Sequence, residues 1–121
     1  MFKEPLKAII ERADGSIGAC IMGTDGISVE KVMTDEAREA NLDVAAAEFT
    51  SLVRNAQRTA GDTGLGSLRE LVVSLEGAVV IMRLFSREYF VVLMMRPDGN
   101  LGRGRFEIRK AELELAREFV V

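Results

Sequence analysis

Residues 77–95 read GAVVIMRLFSREYFVVLMM, two apolar runs separated by Ser86-Arg87-Glu88. Ala78 to Phe85 and Tyr89 to Met95 are each of strand length, and the break between them suits a tight turn. A strand with one wet face carries a polar residue at every second position. Ala78-Val79-Val80-Ile81-Met82 and Tyr89-Phe90-Val91-Val92-Leu93-Met94-Met95 do not. Both faces of these two strands must be buried, so helices must cover the sheet above and below.

Working outward, Leu68 to Leu75 is a third apolar run, joined to the second by Glu76-Gly77, and the three together read as an antiparallel meander. Further upstream, Ala19-Cys20-Ile21-Met22 and Ile27-Ser28-Val29-Glu30-Lys31-Val32 flank Gly23-Thr24-Asp25-Gly26. Asp-Gly tolerates positive φ and favours a hairpin. The second strand of that hairpin alternates apolar with polar, which predicts a half-exposed edge blunted by Glu30 and Lys31.

The helices follow from a different period. Leu6, Ile9, Ile10 and Ala13 share one stripe, and Asp14-Gly15 then breaks it, so residues 3–13 form a short helix. After the polar stretch Thr34 to Glu39, Asn41 is expected to cap a long helix with Asp43 in its first turn, running to Ala60 and ending at Gly61. Leu42, Ala46, Phe49, Val53, Ala56 and Ala60 form its core stripe. A turn at Arg96-Pro97-Asp98-Gly99-Asn100 leads to a last helix, on which Leu101, Arg105, Ile108, Ala111, Leu115 and Phe119 recur at helical spacing. The order is α-β-β-α-β-β-β-α, an α+β chain with no repeat or linker, and residues 1–121 are one domain's worth of sequence.

Composition narrows the function. Hydrophobic residues make up 48% and charged residues 29%, enough apolar surface to fold. Net charge is −3, with 16 basic and 19 acidic residues interspersed, so no broad positive field gathers phosphates and nucleic acid is not expected as a partner. The start, Met1-Phe2-Lys3-Glu4-Pro5, lacks an apolar signal core, and no run reaches the ~20 residues of a membrane span, so no direct membrane insertion is expected. Cys20 is the single cysteine, which suits a reducing compartment and a cytoplasmic location.

Histidine is absent, which removes the commonest general base, the usual triad partner and the commonest zinc ligand together. Cys20 lies in an apolar strand with no histidine to activate it and reads as a buried structural thiol. Gly61-Asp62-Thr63-Gly64-Leu65-Gly66-Ser67 follows a helix and opens a strand, the reverse of a phosphate loop, and lacks Gly-Lys-Ser/Thr. Gly102-Arg103-Gly104-Arg105 at a helix start offers free N–H groups and two guanidinium groups to an anion, but in an acidic chain a solvated helix start is favoured. Met82, Met94 and Met95 fill core gaps. No catalytic residue, cofactor site or metal site is assigned, and the chain reads as a non-enzyme.

The hairpin ACIMGTDGISVEKV, the run GAVVIMRLFSREYFVVLMM and the helix start NLGRGRFEIRKAELELAREF, together with the element order, resemble the Roadblock family, also called dynein light chain 7, over nearly the whole chain. The resemblance implies a five-stranded antiparallel sheet, central helix on one face and terminal helices on the other, in a profilin-like sandwich. It also implies dimerisation through the long helices. Bacterial and archaeal members of this kind associate with Ras-like small GTPases and some stimulate GTP hydrolysis, whereas eukaryotic relatives serve as scaffolds.

On the central helix a second stripe, Ala47, Ser51, Arg54 and Arg58, is small in its first half and basic in its second, permitting close approach of another helix and then ion pairs. In the strand order that the resemblance implies, the third strand lies at an edge, where Leu71, Val72 and Val73 would pair with a symmetry mate. The expected dimer interface is Ala47, Ser51, Arg54, Leu71, Val72 and Val73, with Arg54 and Arg58 meeting the partner. The leading expectation is a homodimeric regulator or scaffold of a Ras-like small GTPase. The alternatives are a structural dimerisation subunit without effect on nucleotide turnover and, from another class, a small-molecule sensor or enzyme with a pocket between helix and sheet.

Overall fold

A computed structural model describes residues 2–35 and 39–118, apart from the side chains of 39–43. The elements are α1 (Lys3–Arg12), β1 (Ser16–Gly23), β2 (Ser28–Met33), α2 (Glu39–Thr63), β3 (Glu70–Ser74), β4 (Val79–Leu84), β5 (Tyr89–Met95) and α3 (Leu101–Glu118). The five strands form one sheet in the order β2-β1-β5-β4-β3, and every neighbouring pair is antiparallel. This is the expected α+β sandwich.

The strands without alternation occupy the middle of the sheet, and each face has its own core. Ile81, Val91, Leu93 and Met95 join Leu6 and Ile9 of α1, Ala13 just past its end, and Ile108, Ala111 and Leu115 of α3. Val80, Met82, Leu84, Phe90 and Val92 point the other way, onto Phe49 and Val53 of α2. Successive residues of β4 and β5 thus serve opposite cores, and at ~1.5–3 kcal/mol per large buried side chain both layers contribute substantially to holding the sheet between them.

The turns match the sequence. In the β1–β2 loop Gly26 has φ +91°, its N–H donates to Gly23 O at 2.9 Å, and Asp25 Oδ1 accepts from Ile27 N at 3.0 Å. Ser86 Oγ accepts from Glu88 N and Tyr89 N in the β4–β5 turn. Gly15 has φ +94°, and a side chain there would strike Gly99 Cα. That close approach lets Gly15 O accept from Arg96 N at 2.8 Å, clamping the end of β5 to the start of β1.

Four expectations need correction. Helix α2 begins at Glu39, so Asn41 lies inside it and is not its cap. It also runs through Gly61 to Thr63, and Gly64, at φ +68°, closes it. A glycine inside a helix costs only ~1 kcal/mol, which the long helix absorbs. On α3, Leu101 and Arg105 are exposed, while Gly104 and Glu107 take their place in the buried face beside Ile108. Strand β3 begins at Glu70 rather than Leu68, although Arg69 O still accepts from Leu84 N at 3.0 Å. Leu42 and Phe119, read as core, lie outside the described side chains.

Arg83 is the one charge within β4, and two carboxylates receive it. Its Nε lies 3.0 Å from Glu112 Oε1, its Nη1 lies 3.4 Å from Glu70 Oε1, and Arg105 Nη2 reaches Glu70 Oε2 at 2.6 Å. The network ties α3 to β3 and β4 on the α1/α3 face.

Candidate interaction surface

Among the described residues strand β3 pairs with β4 alone, which leaves its other side open. The pairing phase is set by two flanking bonds, Leu75 N to Ala78 O and Leu84 N to Arg69 O. Antiparallel residues alternate between bonded and non-bonded pairs. Leu71 and Val73 therefore bond to β4, while Glu70, Val72 and Ser74 turn their N–H and C=O groups outward. The ladder available to a second chain is centred on Val72.

The side chains divide by parity. Leu71 and Val73 lie on the α2 side of the sheet, half-buried against the α2 core. Val72 pairs with Ile81 on the opposite face and is 38% exposed, and Leu75 just beyond the strand is 53% exposed. Of the expected interface residues, the fold thus brings Leu71, Val73 and the α2 stripe to one side of the sheet and sets Val72 on the other.

On α2, burial of Phe49 and Val53 turns the opposite stripe to solvent. Ala47, Ser51, Arg54 and Arg58 lie on that outward side, with the two arginines and Ser51 exposed. Arg58 Nη2 donates to Asn55 Oδ1, whereas Arg54 makes no hydrogen bond or ion pair among the described residues. Sequence reading missed Val44 and Leu52, which are 68% and 41% exposed on the same helix. The signal was present: Val44 precedes Ala47 by three residues and Ser51 by seven, which continues the stripe by one turn.

The remaining candidates resolve against chemistry. Cys20 is half-buried beneath α2, and burial pushes its thiol from 9.0 up to about 12, with Lys31 pulling weakly downward. Such a thiol carries almost no thiolate at neutral pH. The adjoining apolar cavity, between Met22, Met33, Phe49 and Met94, holds about 30 Å³, room for a water but not for a substrate. At the start of α3, Asn100 Oδ1 accepts from Arg103 N at 3.0 Å, and Asn100 O from Gly104 N at 2.9 Å. Arg103 Nη2 turns to the buried Glu107 carboxylate at 2.9 Å, and Arg105 turns to Glu70. Both guanidinium groups and these amides are committed within the protein, so the Gly102–Arg105 segment is not assembled for an anion. No group of three or more acidic, cysteine or histidine side chains that would hold a metal occurs among the described residues.

No family model matches the sequence, and no curated protein matches it. Among solved structures, MglC from Myxococcus xanthus is 33% identical, with 98% of each chain covered and a TM-score of 0.75. A Roadblock/LC7 domain from Streptomyces avermitilis has the same fold at 13% identity, covering 98% of this chain and 97% of its own, with a TM-score of 0.85. The chain belongs to the Roadblock/LC7 family. The gliding protein MglB of Thermus thermophilus shares the fold at 20% identity over 96% of this chain and 86% of its own, with a TM-score of 0.85. In Roadblock terms, the open β3 border and the outer stripe of α2 are two surfaces this chain leaves free around the shared sheet.

Proposed function

We propose that the chain is a non-enzymatic, two-fold homodimer that regulates or scaffolds a Ras-like small GTPase. The observation that carries this reading is the free β3 ladder centred on Val72, flanked on the α2 side by half-buried Leu71 and Val73. Antiparallel addition of a second β3 around Val72 gives a self-complementary contact and one continuous sheet. Its two-fold axis stands perpendicular to the sheet, so both α2 helices fall on one side and present Ala47, Ser51, Arg54 and Arg58 twice.

Family membership supports a GTPase as the partner, and the exposed guanidinium of Arg54 is the freer of the two cations that would meet it. An arginine directed at a bound nucleotide stabilises charge developing on the phosphates, whereas one that only contacts the GTPase surface adds affinity. The test is a pull-down with a small GTPase from the same source, loaded with GDP or GTP, followed by hydrolysis rates. Binding in at least one state supports the proposal, and absence in both refutes it. Stimulated hydrolysis that Arg54→Ala or Arg58→Ala abolishes identifies a finger; a stable complex with unchanged turnover assigns a scaffold.

A further inference from the structure

Helix α3 buries Ile108, Ala111 and Leu115, and the opposite sector is unlike the rest of the surface. At 100° per residue, Arg103, Phe106, Arg109, Lys110, Leu113 and Arg117 share that sector, every one of them exposed, with no acidic residue among them. Phe106 is 56% and Leu113 65% exposed, seven residues apart on one line. Arg103 stacks its guanidinium over the Phe106 ring at 5.4 Å, and Arg109, Lys110 and Arg117 make no hydrogen bond or ion pair among the described residues. A chain of net charge −3 has gathered three cations without a partner among the described residues, a fourth paired with Glu107, and two large apolar side chains on one helical stripe about 21 Å long.

We propose that this stripe docks on an anionic lipid surface, with Phe106 and Leu113 entering the headgroup region and Arg109, Lys110 and Arg117 facing lipid phosphates. Charge complementarity selects an anionic partner, and the acidic remainder of the chain turns this face toward it. The shape selects a bilayer over an acidic peptide. Arg103, Phe106 and Arg109 stand on the outer back of the helix, while Lys110, Leu113 and Arg117 also border the groove between α1 and α3, whose mixed lining includes Glu4 and Glu114. A peptide needs a recess of matching charge, whereas a fluid interface accepts a ridge. No helix among the described residues is long and apolar enough to cross a membrane, so the contact is peripheral. The surface is opposite α2 and does not depend on what α2 binds.

Co-sedimentation of the full chain with phosphatidylglycerol-containing vesicles and with pure phosphatidylcholine vesicles tests this. The expected result is pelleting with the anionic vesicles alone, weakened by salt and lowered roughly thirty-fold in Arg109→Gln/Lys110→Gln, at about 1 kcal/mol per cation. Phe106→Ser/Leu113→Ser should also release the protein, and circular dichroism checks that these exposed-site variants stay folded. Equal pelleting with neutral vesicles, none with anionic ones, or wild-type pelleting by both variants overturns the proposal. So does salt-sensitive capture by polyglutamate or duplex DNA without vesicle binding.

Discussion

Proline at position 72 separates the protomer's stability from its self-association. Val72 N–H points away from β4, so removing it costs the isolated sheet no ladder bond, and an edge strand accepts the fixed φ of proline. In a two-fold pairing centred on Val72 the two copies exchange a pair of N–H···O bonds, and Val72→Pro deletes both. At about 0.5–1.5 kcal/mol each, the loss is about 1–3 kcal/mol per dimer, roughly a five- to 150-fold weaker association before any clash of the rings. Leu71→Pro is the control, because it removes a donor bonded to β4 and should unfold the edge at every concentration. Sedimentation equilibrium combined with thermal melts at several protein concentrations reads both effects. The expected outcome for Val72→Pro is a dissociation constant raised by at least the lower figure and a melting temperature that recovers at high concentration. An unchanged dissociation constant would refute the edge-pairing argument, as would a Leu71→Pro protein that melts like wild type.

Arg83→Met keeps most of the side-chain volume but strips Glu70 and Glu112 of their shared cation; Arg83, Glu70 and Glu112 are 15%, 10% and 24% exposed, between surface and core. A loss of about 2 kcal/mol in urea denaturation is expected, and a change below about 0.5 kcal/mol would show the network to be dispensable. For Cys20, a folded value of about 12 lies above the ordinary 9.0, so the stability it contributes is complete below pH 9.0 and is lost as pH rises toward 12. Cys20→Ala should flatten that alkaline decline, and at about pH 8 a thiol reagent should label the native protein at least roughly a hundred-fold more slowly than the urea-unfolded chain. Equal labelling rates would show the thiol to be open.

Most of the architecture was legible because it is written in local periodicity. Ala78 to Met95 announced a sheet buried on both faces, and the β2 edge showed in the alternation from Ile27 to Val32. What escaped depended on partners distant in sequence. Arg83 interrupts an apolar run with no local justification, and its explanation lies in Glu70 and Glu112. Asn41 and Gly61 are sound cap residues in isolation, yet the continuing helix overrode both. On α3 the stripe was read correctly at Ile108, Ala111 and Leu115 but not at the start of the helix, where Arg105 belongs to an ion pair and the buried Glu107 is held between Arg12 and Arg103. The candidate surface was half legible, since the α2 stripe could be counted out by helical spacing whereas the outward phase of Val72 needed the β3–β4 register.

The two borders of the sheet are unlike. On the β2 side a register shift at Ile21/Met22 twists the ribbon, Glu30 and Lys31 stand along it, and Thr34 folds back onto Ile17 O through both its N–H and its hydroxyl. Open-ended growth by strand addition requires two receptive rims, one to give and one to accept. With only the β3 rim receptive, stacking would terminate after a single union, and a protein that displays a naked ladder escapes becoming a fibre.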